Sequence, residues 1–360
     1  MKLESNSISA SQLIYLAIGF LLGTSVLLFP GGTAENNAWL AVIAGLAEGL
    51  VFLAIYNALA SQYPGKTLVE INDLVLGPYL GKIFSLVYLL FFLYVGSQVL
   101  RTFVEFILLI MPLTPVLVVM IPMLLVTGSA VRNGIEVMAR CSQIIVVFTI
   151  ALFGLLFMLL LKDFELGNLL PVMDIPLKKF ILASHSIAAL PFGEVVVFLM
   201  ILPFVNQPSQ VGWAMGKAFL LAAALLTLSA IQITAVLGPL AGVATYPNFS
   251  MVRIISIADI LTRLEIIPSF TFFFLGFTKF IVFYYGIVLG TSQMLRMRTY
   301  RPLILPIGAL TGVTSLLLYD SYIYDLIDST ILFPFYSMIF AFFLPLITLI
   351  VAKMRETSLP

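Results

Sequence analysis

Four polar residues along one apolar segment have the spacing of a helical stripe. Tyr94, Gln98, Arg101 and Glu105 follow one another at intervals of four, three and four, so they fall on one face of a helix. Arg101 and Glu105 can neutralise each other, although a base before an acid is the weaker order. Because Tyr94 and Gln98 continue the stripe, we expect this face to line a polar cavity. Glu105 is then the residue expected to contact a ligand ammonium group or an ordered water.

Three more ionisable residues, Glu48, Glu194 and Lys279, lie inside apolar segments, where a charge is costly and is a functional candidate. Glu48 must be protonated or paired, and a hydrogen bond to a neighbouring helix is the structural alternative to a coupling role. Glu194 follows Gly193 and can serve as a gate, a proton acceptor or a backbone cap. Lys279 can form a salt bridge to Glu48 or Glu105.

Two apolar segments that must position these groups are interrupted near their middles. Gly23-Thr24-Ser25 interrupts the first, and Leu190-Pro191-Phe192-Gly193 interrupts the sixth. A helix broken inside a membrane survives only where it lines a protected cavity. Freed N–H groups at the first break suit a carboxylate, and freed carbonyls at the second suit an ammonium group. We therefore expect a socket for a zwitterion, while close packing of helices is the alternative reason for glycine here.

The composition predicts an integral membrane protein. Hydrophobic residues make up 61% of the chain and charged residues 10%, with a net charge of +1, which argues against nucleic acid as a partner. The single cysteine, Cys141, and the absence of a His/Cys cluster or a Walker loop leave no motif for a metal, a cofactor or an enzyme. His185 is expected to be an interfacial histidine with a satisfied ring, with a pH sensor as the alternative.

The apolar stretches predict an all-α fold of ten membrane spans. They run over 10–33, 37–60, 79–111, 115–131, 134–162, 180–205, 209–238, 268–297, 302–319 and 330–352. Breaks in the first and sixth spans divide the single domain, 1–360, into five-helix inverted repeats of roughly 10–162 and 180–352. Short amphipathic surface helices are expected at Lys66–Leu76 and at 247–266.

The distribution of basic residues predicts cytoplasmic termini. The side that carries the N-terminus holds eleven of them, and the other side holds five, among them Lys162 and Arg253. The eleven are Lys2, Lys66, Lys82, Arg132, Arg140, Lys217, Arg296, Arg298, Arg301, Lys353 and Arg355.

The string Gly19-x3-Gly23-Thr24-Ser25-x3-Phe29-Pro30 resembles the glycine-rich first-helix motif of the amino acid–polyamine–organocation permeases. Length, ten spans, a short tail and the Leu190–Glu194 break make the chain similar to the B subunit of spore germinant receptors, the endospore germination permease family. This resemblance implies an amino-acid-like ligand between the first, third, sixth and eighth spans.

The resemblance further implies a nutrient sensor in the spore inner membrane, beside a large membrane A subunit and a lipoprotein C subunit. In sodium-coupled relatives the first and eighth helices hold a sodium ion, so Lys279 is expected to substitute for that cation. The alternative function is a proton-coupled secondary transporter that moves amino acids through Glu48, Glu105 or Glu194.

Overall fold

The computed structural model describes residues 7–29, 31–242, 244, 246–253, 266–319 and 328–356, and their regular structure is helical. The α-helices are α1 Ala10–Leu22, α2 Ser25–Leu28, α3 Ala38–Gln62, α4 Leu68–Ile110, α5 Val116–Asn133, α6 Ile135–Leu160, α7 Leu177–Ile187, α8 Val211–Leu237, α9 Pro247–Val252, α10 Ile266–Met294, α11 Ile304–Leu317, α12 Phe333–Met338 and α13 Leu344–Glu356. Short 3-10 and π segments join several of them.

Helical stretches of the described residues lie at the positions of all ten predicted spans. Among the described residues, 8 are long and apolar enough to cross a bilayer: Gly32–Gln62, Leu68–Ile110, Val116–Asn133, Ile135–Asp163, Leu177–Met200, Pro208–Gly242, Ile266–Met294 and Phe333–Arg355. Two shorter apolar helices, Ala10–Leu22 and Arg301–Leu317, lie where the first and ninth spans were predicted. The chain is an integral membrane protein of the predicted all-α class. The repeat boundaries at 10–162 and 180–352 stay a prediction.

The third span is preceded by the predicted surface helix. Thr67 caps this segment by accepting a hydrogen bond from the Glu70 N–H, which satisfies a free donor of its first turn. At Gly77 the backbone turns away from helical geometry with φ 84°, a conformation that glycine tolerates. The second predicted surface segment, 247–266, is described only over α9 and its neighbours. Its residues 254–265 lie outside the described residues, as does Pro30 of the first-helix motif.

Both predicted breaks are present. In the first span α1 ends at Leu22, and Gly23 adopts φ 6° and ψ −111° before α2 begins. In the sixth span α7 ends at Ile187, and Leu190 adopts the extended values φ −127° and ψ 108°. The half-helix after the first break is shorter than the sequence suggested, because α2 has 4 residues and ends at a left-handed Phe29. Because only a few peptide groups are aligned in α2, its dipole is small. The attraction of an anion to the start of this half-helix is therefore weaker than expected.

Aromatic and glycine contacts bring the two broken spans together. The ring of Phe20 lies 5.1 Å from that of Phe198 and 5.3 Å from that of Phe283, so α1, the sixth span and α10 share one core. On the other side of the sixth span, α3 approaches through Gly49, where an added Cβ would lie 2.6 Å from Phe192 Cβ. Close approach of this kind requires small residues.

The packing of α3 on the sixth span can be tested with Gly49→Ala. The added methyl group overpacks the contact with Phe192, which costs about 1–3 kcal/mol, so the thermal unfolding midpoint of the purified protein should fall. Gly216→Ala in α8 is the matched control, because nothing lies within 4 Å of that position. Its midpoint should stay unchanged or rise slightly, since alanine favours helices. Equal midpoints for the two variants would contradict the close approach.

Candidate functional site

A fully buried ion pair links the eighth span to the break of the sixth. Lys279 Nζ in α10 lies 2.5 Å from Glu194 Oε2, and the two side chains are 0% and 1% exposed. Glu194 stands directly after the break, at the start of the 3-10 segment Gly193–Met200. A buried charge without its partner is strongly destabilising, so each residue needs the other. The alternative salt bridge from Lys279 to Glu48 or Glu105 is not formed, because Glu48 lies against His185 and Glu105 pairs with Arg101.

The same lysine reaches the break of the first span. Lys279 Nζ donates a hydrogen bond of 3.0 Å to Thr24 Oγ1, and it lies 5.6 Å from the centre of the Phe20 ring. A Cβ at Gly23 would lie 2.5 Å from Lys279 Cδ and 2.7 Å from the Phe20 carbonyl oxygen. Glycine at this position therefore leaves room for the lysine stem. The Lys279 ammonium group joins the first, sixth and eighth spans at one point.

Ser25, at the first break, has a buried side-chain hydroxyl that forms no hydrogen bond with the described residues. Its side chain is 2% exposed, and its Oγ has no hydrogen-bond partner among the described residues. Buried hydroxyls are normally satisfied by protein or by ordered water. Ser25 lies beside Thr24, which accepts a hydrogen bond from Lys279. Its unused hydroxyl is therefore available to a small polar ligand or to water.

Tyr56 of α3 lies between the carbonyl oxygens of Gly193, in the sixth span, and Ala341, in the tenth. Its hydroxyl lies 3.3 Å from the Gly193 oxygen and 2.6 Å from the Ala341 oxygen, within the tenth span. The backbone of Leu190, Phe192 and Gly193 is buried. The one hydroxyl hydrogen of Tyr56 lies closer to Ala341 than to Gly193, so the ion pair of Glu194 is the stronger side-chain contact of the broken segment.

Glu48 pairs with the half of the sixth span that precedes the break. Its Oε1 lies 2.8 Å from His185 Nδ1, and His185 Nε2 lies 3.1 Å from the Pro334 carbonyl oxygen. Because a carbonyl only accepts hydrogen bonds, Nε2 must carry a hydrogen, and a further proton must lie between Nδ1 and the carboxylate. The histidine ring is satisfied on both sides. The pair holds one proton in common between α3 and α7.

The polar stripe of α4 divides into two separate groups. Arg101 Nε lies 2.6 Å from Glu105 Oε1, with side chains 16% and 12% exposed, so these two pair along their own helix. Glu105 Oε2 is buried without a hydrogen-bond partner among the described residues. Tyr94 and Gln98, one to two turns away, contact residues of the ninth and tenth spans instead. The lining of one polar cavity by all four residues stays a prediction.

Tyr94 and Gln98 belong to what we term the Asp328 cluster, formed by Tyr94, Gln98, Tyr319, Asp328 and Tyr336. The three phenol oxygens lie within hydrogen-bonding distance of Asp328 Oδ2. Gln98 Nε2 lies 3.2 Å from the Tyr319 hydroxyl and 3.4 Å from Asp328 Oδ2. Sequence reasoning missed this cluster, because tyrosines and acids at span ends are typical of a membrane interface. The neighbouring loop acids Asp320 and Asp325 lie outside the described residues.

Comparisons with known proteins agree with this architecture. The profile of the Spore_permease family, described as spore germination protein, matches residues 7–323. Spore germination protein KB of Bacillus subtilis (strain 168) is 30% identical over 99% of this chain and 98% of its own length. Spore germination protein YndE of the same organism is 23% identical over 82% of this chain and 83% of its own length.

Two solved transporter structures share the fold. Mhp1, a nucleobase-cation-symport-1 family transporter solved with bromovinylhydantoin, aligns with a TM-score of 0.63 and 11% identity over 90% of this chain and 76% of its own. MhsT in complex with L-phenylalanine aligns with a TM-score of 0.62 and 15% identity over 93% of this chain and 88% of its own. At such low identity the likeness concerns the fold alone.

The buried pair can be tested with Lys279→Met, which leaves the Glu194 carboxylate without its partner. Removing one member of a buried pair costs about 3–5 kcal/mol, so the unfolding midpoint and the yield of folded protein should both fall. The double variant Lys279→Met/Glu194→Gln removes the unpaired charge as well and should recover most of the loss. Lys217→Met, at an exposed lysine of α8, serves as the control. A double variant no more stable than Lys279→Met would contradict the pairing.

Proposed function

This chain belongs to the Spore_permease family of spore germination proteins, and we propose that it is the nutrient-sensing membrane subunit of a germinant receptor. Its ligand is an amino-acid-like zwitterion that binds at the two breaks. The location is the spore inner membrane, with both termini in the cytoplasm, and the partners are a large membrane A subunit and a lipoprotein C subunit. The excess of basic residues on the side of the N-terminus supports this orientation.

The observation that carries the proposal is the ion pair of Lys279 and Glu194 between the breaks. It places one positive and one negative charge, both removed from water, where the two interrupted spans meet. A zwitterion carries a matching pair of charges, so its carboxylate can take the place of Glu194 beside Lys279. Its ammonium group can take the place of Lys279 beside Glu194. An ion of one sign would satisfy only one partner and leave the other charge buried and unpaired.

Exchange of partners at this pair supplies a signal. The pair ties α10 directly to the sixth span, whereas a bound zwitterion would stand between them. A ligand that favours the separated arrangement shifts the population of the two conformers without any net transport. In this account Lys279 takes the role of a sodium ion between the first and eighth spans, as its hydrogen bond to Thr24 supports. Recognition of an amino acid by this fold has a parallel in MhsT, which was solved with L-phenylalanine.

A proton-coupled amino acid transporter is the second candidate, and one contact favours it. Glu105 and Glu194 are paired with Arg101 and Lys279, whereas Glu48 and His185 share a proton. Such a pair can release its proton when the half of the sixth span that precedes the break moves. Transport would therefore depend on Glu48, and sensing alone would not require a proton to cross the membrane.

Ser25→Ala tests the proposed ligand site without disturbing the fold. Removing a buried hydroxyl that has no partner should leave stability unchanged or improved, while a ligand bonded to Ser25 would lose one hydrogen bond. A loss of about 1.4 kcal/mol corresponds to about a tenfold change in affinity. Spores that carry Ser25→Ala should therefore need about tenfold more amino acid to germinate at normal protein levels.

Ser315→Ala is the matched control, because Ser315 Oγ in α11 is also buried without a partner among the described residues. Its dose–response to a panel of amino acids should equal that of the parent protein. A Ser25→Ala strain with an unchanged response would remove the first break from the ligand site. A loss of equal size in both strains would mean that hydroxyl removal acts through the fold.

Proteoliposomes that contain the purified chain separate the two candidate functions. Sensing predicts amino acid binding without accumulation when a proton gradient is imposed. Transport predicts uptake that the gradient drives and that Glu48→Gln abolishes. Gradient-driven uptake by the parent chain would overturn the assignment as a sensor only.

A further inference from the structure

The Asp328 cluster has more short oxygen–oxygen contacts than it has hydroxyl hydrogens to form hydrogen bonds. Tyr94 Oη lies 2.6 Å from Tyr319 Oη and 2.8 Å from Tyr336 Oη. Asp328 Oδ2 lies 2.7 Å from Tyr319 Oη and 2.9 Å from Tyr336 Oη, and it also contacts Tyr94 Oη. These are five oxygen–oxygen contacts among four atoms. Each phenol supplies a single hydrogen, so at most three of the contacts can be hydrogen bonds.

The two remaining contacts bring oxygen lone pairs together without a hydrogen between them. Gln98 does not supply the missing hydrogens. Its amide nitrogen lies 3.2 Å from the Tyr319 hydroxyl and 3.4 Å from Asp328 Oδ2, so its hydrogens do not lie between the oxygen atoms. A proton on Asp328 would serve only one of the two contacts and would remove the negative charge. A positive ion among the oxygens would satisfy all of them at once, because each oxygen can direct a lone pair at it.

We propose that the Asp328 cluster is a binding site for a compact monovalent cation, an alkali ion or an ammonium ion. Among the described residues the cluster contains one carboxylate, three phenols and one amide, so a single positive charge balances it. Divalent calcium takes about 6–8 oxygen ligands, often from several carboxylates, which this set does not provide. To accommodate a cation the phenol oxygens would move apart from their present separations.

The surroundings of the cluster suit such an ion. The rings of Tyr94 and Tyr336 lie 6.0 Å apart, and that of Phe333 packs 5.5 Å from Tyr336, so an apolar wall backs the oxygens. Electrostatic attraction between a carboxylate and a cation is stronger beside such a wall than in open water. Asp328 itself is only partly buried, which leaves a route for the ion. An ion here would hold the third, ninth and tenth spans together.

The site is separate from the ion pair of Lys279 and Glu194 and does not depend on the nutrient. The proposal therefore stands or falls without the assignment of the chain as a nutrient sensor. It is tested with the purified full-length chain and with simple salts, in the absence of any amino acid. Choline chloride keeps the ionic strength constant, because choline is too bulky to fit among the oxygens.

The experiment is a titration of NaCl, KCl and NH4Cl, each against choline chloride, with the thermal unfolding midpoint as the readout. Binding to the folded state raises the midpoint with the logarithm of the ion concentration, so at least one of the three salts should stabilise the parent chain. Asp328→Asn should abolish this dependence. Asp174→Asn, at an exposed acid of an outer loop, should retain it.

Tyr319→Phe keeps the test decisive if Asp328→Asn does not fold. It removes one oxygen from the cluster and leaves the ring, so the half-saturating concentration should rise by about tenfold, the change that corresponds to about 1.4 kcal/mol. The tyrosine difference absorption of the parent chain should follow the same titration. Midpoints that are equal in all salts and choline, or an ion effect that survives in Asp328→Asn, would overturn the proposal. A midpoint that responds to pH but not to the identity of the cation would show a proton there instead and would overturn it as well.

Discussion

The structure depends on one buried ammonium group, that of Lys279, whose charge must be paired. The side chain of Lys279 is 0% exposed, so bulk solvent does not reach its charge and the cost of burial must be met by protein groups. Its partners, Glu194 and Thr24, stand at the two interrupted spans. In a continuous helix at either place, the backbone N–H and C=O groups would be satisfied by hydrogen bonds within that helix. Such a helix would not need to approach the other interrupted span. The two interrupted spans therefore supply the partners of Lys279, and the buried charge of Lys279 favours their close approach.

Much of the fold could be predicted from the sequence, because breaks and spans are local properties. Glycine at Gly23 and proline after Leu190 weaken a helix locally, and apolar stretches of span length are read directly from the chain. The length of α2, by contrast, could not be predicted from the local sequence pattern. It ends at a left-handed Phe29, which the hydrophobic pattern of the segment does not indicate.

The partners of the buried charges could not be predicted in the same way. The spacing of Arg101 and Glu105 along one helix allowed their pairing to be considered from sequence. The partners of Lys279 and Glu48 come from other spans, and their choice depends on how the spans are rotated and packed. The Asp328 cluster was hidden for a related reason, since Tyr319 and Tyr336 are typical interface residues until the fold brings their hydroxyls to one carboxylate.

The central claim is that a nutrient acts on the backbone and charges at the two breaks. Hydrogen exchange of the purified chain, followed by mass spectrometry with and without a panel of L-amino acids, measures those amides directly. An effective amino acid should change exchange in the segments 23–29 and 188–195 and should leave peptides from α5 unaffected. A bound amino acid that alters exchange only elsewhere in the chain would contradict it.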